Sequence, residues 1–216
     1  MVDVEWFGHS CFAVRGKTKT VMFDPFKGIG LPEPKAKADI VLCSHGHQDH
    51  NNTKPVSHEK SIVMEAFTGT KQIDDVSIKG VLAFHDDSQG SKRGRNSVYV
   101  VHFEDVAFCH LGDLGHELNS SQVNEIGSVD VLFLPVGGFF TIGPKEARKV
   151  MESLNPRIAV PMHYRAPGMS VMFRALKKVE DFTKPDDNVR SLESPTFTFA
   201  KTELPEKRVI IVPRLR

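Results

Sequence analysis

An α+β fold, with sheets covered by helices in one compact unit, is what this sequence predicts. Three observations lead to it. Short runs of β-branched and aromatic residues crowd the first half of the chain. Helical periodicity appears only later, at 120–126, 144–154 and 170–179. Several strand-like runs run straight into a histidine or an aspartate, a layout that gathers polar groups along one rim of the sheets.

Taken in order, residues 2–7, 11–15 and 19–23 read as strands, with Gly8 and the Gly16-Lys17 pair at the turns and Asp24-Pro25 closing the third. The stretch 28–37 carries two glycines and two prolines and reads as loop. Residues 39–43 (DIVLC) form a short apolar strand, and 44–50 is polar and rich in histidine. The run 57–67 fits a helix or a strand. Residues 76–84 and 97–103 read as strands on either side of the polar loop DDSQGSKRGRN, and 106–109 is a further strand after the Glu104-Asp105 turn. Residues 120–126 fit a short helix, 129–134 a strand, and 144–154 a helix whose Pro144 suits the first turn. A strand at 158–161, a helix at 170–179 and alternating strands and turns from Thr196 complete the chain. No linker and no repeat divides it, so one domain over 1–216 is expected.

The chain has 216 residues, with 28 Lys+Arg against 27 Asp+Glu, a formal charge of +1 that argues against a nucleic-acid-binding surface. Cys11, Cys43 and Cys109 show no CxxC spacing and lie in apolar stretches, so they read as buried reduced thiols. The N-terminal MVDVEWFGHS lacks the basic and apolar regions of a signal peptide. The near-apolar run VLFLPVGGFF is far short of the ~20 residues that a membrane-spanning helix needs. A soluble, cytoplasmic protein is expected, and a homo-oligomer is compatible with this composition.

Ten histidines stand out. His45-Gly46-His47-Gln48-Asp49-His50 offers four metal ligands within six residues directly after a strand. Imidazole nitrogen with carboxylate oxygen suits zinc, manganese or iron. One segment does not fill two metal shells. His85, Asp113 and His163 each follow a predicted strand and are the candidates to complete them.

These motifs resemble the metallo-β-lactamase superfamily, within its metal-dependent hydrolases. L-ascorbate-6-phosphate lactonase and N-acylphosphatidylethanolamine-hydrolysing phospholipase D are the nearer likenesses. The resemblance rests on WFGHSCF, DPF, SHGHQDH, His85, HLGDL, LPVGGFFTIGPKEA and PMHY, and it covers nearly the whole chain. It implies an αββα sandwich, two mixed sheets flanked by helices, with two divalent metal ions at one edge. It also implies a ligand set: His45, His47 and His85 at one metal, Asp49, His50 and His163 at the other, and Asp113 bridging. Zinc is the first expectation, manganese or iron the alternatives. Asp24, His9 and His110 are expected behind the ligands, His9 and His110 there or in contact with substrate, and Asp49, Asp113 and His110 at the chemistry.

Such a site activates water for attack on a small ester, lactone or phosphoester. Lys92, Arg93 and Arg95, with Asp86 and Asp87, sit in the loop after His85 and are expected to meet an anionic substrate. Phe139, Phe140 and Tyr164 are expected to wall the pocket. Two other functions compete: a nucleic-acid phosphodiesterase, and a metal-binding protein without hydrolysis. The first would need a continuous basic channel, the second a closed site.

Overall fold

A computed structural model describes residues 1–215. The strands are β1 (Val2–Gly8), β2 (Cys11–Arg15), β3 (Thr20–Phe23), β4 (Ala38–Cys43), β5 (Ser57–Glu65), β6 (Gly69–Ile73), β7 (Val76–Phe84), β8 (Arg95–Phe103), β9 (Val106–His110), β10 (Val131–Pro135), β11 (Ile158–Met162), β12 (Val189–Ser191), β13 (Thr196–Phe199) and β14 (Val209–Val212). They form a six-stranded sheet, β13-β1-β2-β3-β4-β5, and an eight-stranded sheet, β12-β14-β11-β10-β9-β8-β7-β6. Both are mixed. β3 and β4 pair parallel, as do β9, β10 and β11, whereas β1 with β2 and β7 with β8 are antiparallel hairpins.

Strand alternation decides which side chains meet between the sheets. Phe12, Val14, Val21, Phe23, Ile40 and Leu42 of the smaller sheet join Ile78, Val98, Val100, Phe108 and Phe133 of the larger one in a single core. Phe12 stacks on Phe133 with ring centroids 4.3 Å apart. The alternate residues Cys11, Ala13, Met22, Val41 and Cys43 face outward into a second cluster, closed by Phe26, Ile29, Phe173 and Leu176. The three cysteines are free and buried.

Helix α1 (Ser120–Ile126) packs on β7, and helix α2 (Pro144–Leu154) on β10. Asn119 caps α1 by accepting the Gln122 N–H (2.9 Å), while Gln122 accepts the Asn119 N–H (3.1 Å). α2 begins with Pro144 and ends at Asn155, which takes φ 43°. No helix among the described residues is long and apolar enough to cross a membrane.

One segment differs from the sequence expectation, and two strands go beyond it. The run 57–67, which fits a helix or a strand in sequence, is a strand over Ser57–Glu65, β5. The helix expected over 170–179 is instead a short 3-10 helix, Val171–Ala175, that stops at the extended Leu176. Phe173 and Leu176 are buried while Val171 and Met172 are exposed, and a three-residue period places the two buried side chains on one side. β6 and β12 were not expected: four of the five residues of β6 and all three of β12 are exposed, so neither shows apolar alternation.

Gly137 follows β10, where a Cβ would stand 2.0 Å from the carbonyl oxygen of His163. The neighbouring Gly138 has room but takes φ 64°. We expect Gly137→Ala to destabilise the fold by about 2 kcal/mol through forced backbone displacement. Gly138→Ala, which strains only its own dihedrals, should cost about 1 kcal/mol. Urea denaturation of both variants checks the order; equal midpoints would refute this account of Gly137.

Candidate metal centre

The site assembles at one edge of the sandwich, where strands stop and the chain turns sharply. Asp24 follows β3, Ser44 and His45 follow β4, His85 follows β7, Asp113 lies three residues beyond β9, and His163 follows β11. His9 lies in the β1–β2 turn. His9, Asp24 and His163 have φ of 51°, 43° and 51°. This left-handed conformation costs roughly 1–2 kcal/mol for each non-glycine residue, so the surrounding structure must hold them there. Two bonds do so for His9: its carbonyl accepts the Trp6 indole N–H (3.1 Å) and the His163 N–H (3.2 Å). Gly112, at φ 56°, leaves no room for a side chain, because a Cβ would lie 2.3 Å from Asn96 Oδ1.

Asp113 is the hub. Its Oδ2 lies 3.2 Å from Nε2 of His50, His85 and His163, and 4.0 Å from Nε2 of His45. Around it, His45, His47 and His85 bring one potential ligand atom each within 4.8 Å of one another. His9, Asp49, His50 and His163 form a second such group, and His45, His50 and Asp113 a third that joins the two. His9, expected behind the ligands or against substrate, thus stands among them, its Nε2 3.2 Å from Asp49 Oδ2.

Hydrogen bonding behind these side chains sets their proton positions. Asp24, fully buried, accepts the Ser44 N–H (2.7 Å), the Ser44 hydroxyl (2.7 Å) and His50 Nδ1–H (2.8 Å). An ionised carboxylate only accepts, so the single Ser44 proton points to Asp24. Ser44 Oγ must then accept from His45 Nδ1–H, 2.9 Å away. His45, and His50 when neutral, therefore present a bare Nε2 to the cluster. His110 is different. Its Nε2–H donates to the Ser10 carbonyl (2.8 Å) and its Nδ1 accepts the Gly112 N–H (3.2 Å), while its ring stacks on Phe23 at 4.9 Å. Both ring nitrogens are occupied, so His110 has no free nitrogen to turn toward the Asp113 cluster.

This arrangement fits bound cations. Nε2 of His50 faces a carboxylate oxygen at 3.2 Å, so something positive, an imidazolium proton or a cation, belongs between them. Buried polar atoms without hydrogen-bond partners gather here: His9 Nδ1, His45 Nε2, His50 Nε2, His85 Nδ1, His163 Nδ1 and Asp113 Oδ1. Burial pushes His45 down to about 3 and His9 down to about 4, so neither readily takes a proton. Burial works against the charge of Asp113, but His163 and His50 outweigh it and hold the carboxyl well below its usual range. Burial likewise works against a charged His50, and Asp113 and Asp24 outweigh it, raising His50 well above its ordinary value. The donor set of imidazoles and carboxylates accommodates zinc, manganese or iron.

A cavity of about 300 Å³ opens over the cluster, lined by His47, Asp49, His85, Asp113 and His163 with Lys92, Arg93, Phe140, Met172 and Phe173. Of the expected substrate contacts, Lys92, Arg93 and Phe140 are there. Arg95 is not: it pairs with Phe84 in the β7–β8 ladder. Phe139 turns its ring to solvent, 64% exposed. Tyr164 is buried against Trp6 and lines a different cavity. Asp86 serves the loop's own backbone, accepting N–H groups of Ser88, Gly90, Lys92 and Arg93. Sequence reasoning missed Ser44, Asn96, Met172 and Phe173. Asn96 accepts the Asp113 N–H (2.8 Å) and donates to the Leu111 carbonyl (2.9 Å). Only Ser44 left a signal, its place just before HGHQDH.

Comparison with known proteins agrees with the geometry. The family model described as Beta-lactamase superfamily domain matches residues 3–163. A UPF0173 metal-dependent hydrolase of Pyrococcus abyssi is 32% identical over 208 residues, 83% of this chain and 92% of the relative. Its counterpart from Thermococcus kodakarensis is 35% identical over 192 residues, 76% of this chain and 85% of the relative. A crystal structure from Thermotoga maritima covers both chains completely at 37% identity and a TM-score of 0.83. That protein is assigned provisionally to the Zn-dependent hydrolases of the metallo-beta-lactamase superfamily. Igni18, a metallo hydrolase of Ignicoccus hospitalis, shares the fold at 22% identity and a TM-score of 0.66, over 92% of this chain and 99% of that one. From the strand-end ligand cluster to the whole-chain likeness, the chain belongs to the beta-lactamase superfamily, in the UPF0173 group of metal-dependent hydrolases.

Proposed function

We propose that this protein hydrolyses a small ester, lactone or phosphoester with the help of two divalent metal ions. His45, His47 and His85 would hold one ion, Asp49, His50 and His163 the other, with Asp113 between them. The observation that carries this reading is Asp113 Oδ2, met at 3.2 Å by imidazole nitrogens from three separate parts of the chain on the floor of an open cavity. The names of the relatives support hydrolysis, and the provisional assignment of the Thermotoga maritima protein favours zinc over manganese or iron.

When bound, such a pair of ions lowers the pKa of a water and polarises a carbonyl or phosphoryl oxygen. The chain supplies the rest. Asp24, directly and through Ser44, keeps His50 and His45 turned with Nε2 toward Asp113, where the ions would be held. Asp49 is partly exposed in the cavity and tethered by His9, which places it to orient the attacking water and accept its proton. Phe140, Met172 and Phe173 shield one side from bulk solvent. A cavity this small, in a chain of formal charge +1, favours a small molecule over nucleic acid. The three buried reduced thiols suit a single cytoplasmic domain.

We expect His47→Ala and Asp49→Ala each to lose metal and nearly all hydrolysis. Elemental analysis after separate loading with Zn²⁺, Mn²⁺ and Fe²⁺, with turnover on ester, lactone and phosphodiester panels, checks this. Unchanged activity in either variant would sink the assignment. Asp24→Asn keeps every proposed ligand but disturbs the proton arrangement behind two of them. Its metal affinity should fall about 10–100-fold in competition with a chelator, and a wild-type value would remove Asp24 from this role.

A further inference from the structure

The loop after β7 is built around one side chain. Asp86 is 3% exposed, and its carboxylate gathers four backbone N–H groups. Oδ1 accepts from Ser88 (2.8 Å) and Gly90 (2.9 Å), and Oδ2 from Lys92 (3.0 Å) and Arg93 (2.8 Å). The Gly94 carbonyl also accepts the His85 N–H (3.0 Å), tying the far end of the loop to the strand end that carries His85. A run of Ser, Gly, Lys and Arg that reads as mobile is therefore folded onto the edge of the metal cavity.

The product of that folding is the position of Arg93. Its guanidinium lies over the Phe140 ring, 5.8 Å from the centroid, and Nη2 donates to the Phe139 carbonyl (3.3 Å). Among the described residues no carboxylate lies within ion-pair distance of Arg93, whereas neighbouring Lys92 pairs with Asp87 at 3.0 Å. The platform beneath Arg93 is itself strained. Phe139 takes φ 65° at the centre of a three-residue turn closed by the Phe140 N–H on the Gly138 carbonyl (2.7 Å). A bulky residue rarely adopts this conformation, and here it aims the Phe139 carbonyl at Arg93 while Phe140 lines the cavity.

We infer that Arg93 is the specificity-determining residue, and that the substrate carries a second oxyanion, carboxylate or phosphate, beyond its reactive group. This inference rests on the hydrolase reading above. A guanidinium offers a planar fork matched to two oxyanion oxygens. One end of the substrate lies at the Asp113 cluster, the other at Arg93, and a short apolar spacer lies against Phe140, Met172 and Phe173. Asp86 is a positioning residue that acts through Arg93.

The test is calorimetric titration of the zinc-loaded protein with succinate, glutarate and adipate, each against its monoacid of equal length, butyrate, pentanoate and hexanoate. A 4-phosphonobutyrate arm separates phosphate from carboxylate preference. At least one two-anion probe should bind wild type about tenfold tighter than its one-anion match, or about 1.4 kcal/mol. Arg93→Ala should bring that ratio to about one. Asp86→Ala should lower the ratio in wild type and leave it unchanged when Arg93 is already alanine, because the two residues act as one unit. A ratio of one in wild type, a ratio of ten in Arg93→Ala, or no binding of any probe overturns the inference. Metal content and ester turnover are read on the same samples. Failure of those readings overturns the hydrolase reading and this inference with it, whereas an altered ratio pattern with metal and turnover intact overturns this inference alone.

Discussion

Buried negative charge at one edge of the sandwich is the constraint on which the rest of the structure turns. Asp24 and Asp113 are almost wholly buried, and Asp49 is partly so. A carboxylate in such a place is costly unless something positive meets it. Burial also depresses protonation of His9, His45, His47 and His110. Protons on these four imidazoles are thus a poor answer to three carboxylates, although Asp113 and Asp24 favour one on His50. Divalent cations would answer the charge, and the imidazole lone pairs would supply the remaining coordination. The Asp24–Ser44–His45 relay follows from the same constraint. Without it, either tautomer of His45 would be open, and half of the arrangements would point a proton at the metal.

Topology explains why these groups meet. β3 and β4 run parallel, so Asp24 and His45 emerge at the same edge of the smaller sheet. In the larger sheet β9, β10 and β11 are parallel, which brings Asp113, Gly137 and His163 to one edge. β7 is antiparallel to β8, and β8 to β9, so β7 runs the same way as β9 and delivers His85 there too. The site therefore lies beyond the carboxyl ends of the strands, the usual place for ligands in open sheets of this kind. Ladder hydrogen bonds fix each strand end, and left-handed residues just beyond them turn the side chains inward.

That organisation made much of the site legible before any coordinates. The strand at 76–84 is followed at once by His85, and 39–43 by Ser44 and then the histidine-rich run, so period and ligand type spoke together. The helices at 120–126 and 144–154 were legible from their periodicity, and the second also from Pro144 in its first turn. What escaped were features made through space. Asn96 supports Asp113 from seventeen positions away, with nothing nearby in sequence to mark it. Met172 and Phe173 reach the cavity because a 3-10 helix, not an α-helix, carries them. Tyr164 follows His163, yet the sharp turn at His163 sends it toward Trp6. The polarity of the 86–96 loop was legible, but Asp86 and Arg93 have opposite roles in it that charge alone could not sort.

Metal binding and substrate reading are divided between two kinds of structure. Of the proposed ligands, His85 and His163 stand directly at strand ends of the larger sheet, and the others lie in the short connections just beyond β4 and β9. The cavity walls stand on connections, each held by few bonds: Asp86 for one, the strained Phe139 turn for another. The two are nonetheless coupled, because Asp86 is the next residue after His85. Gly115 lies so close to the His85–Asp86 peptide that a Cβ would come within 2.3 Å of it. The Gly115 N–H also donates to the Phe84 carbonyl (2.9 Å). A shift of the loop anchor would have to displace that packed peptide, and His85 with it. The position of Arg93 is thereby referenced to the metal cluster itself, which is what a site must achieve to hold the two ends of a small substrate at a fixed separation.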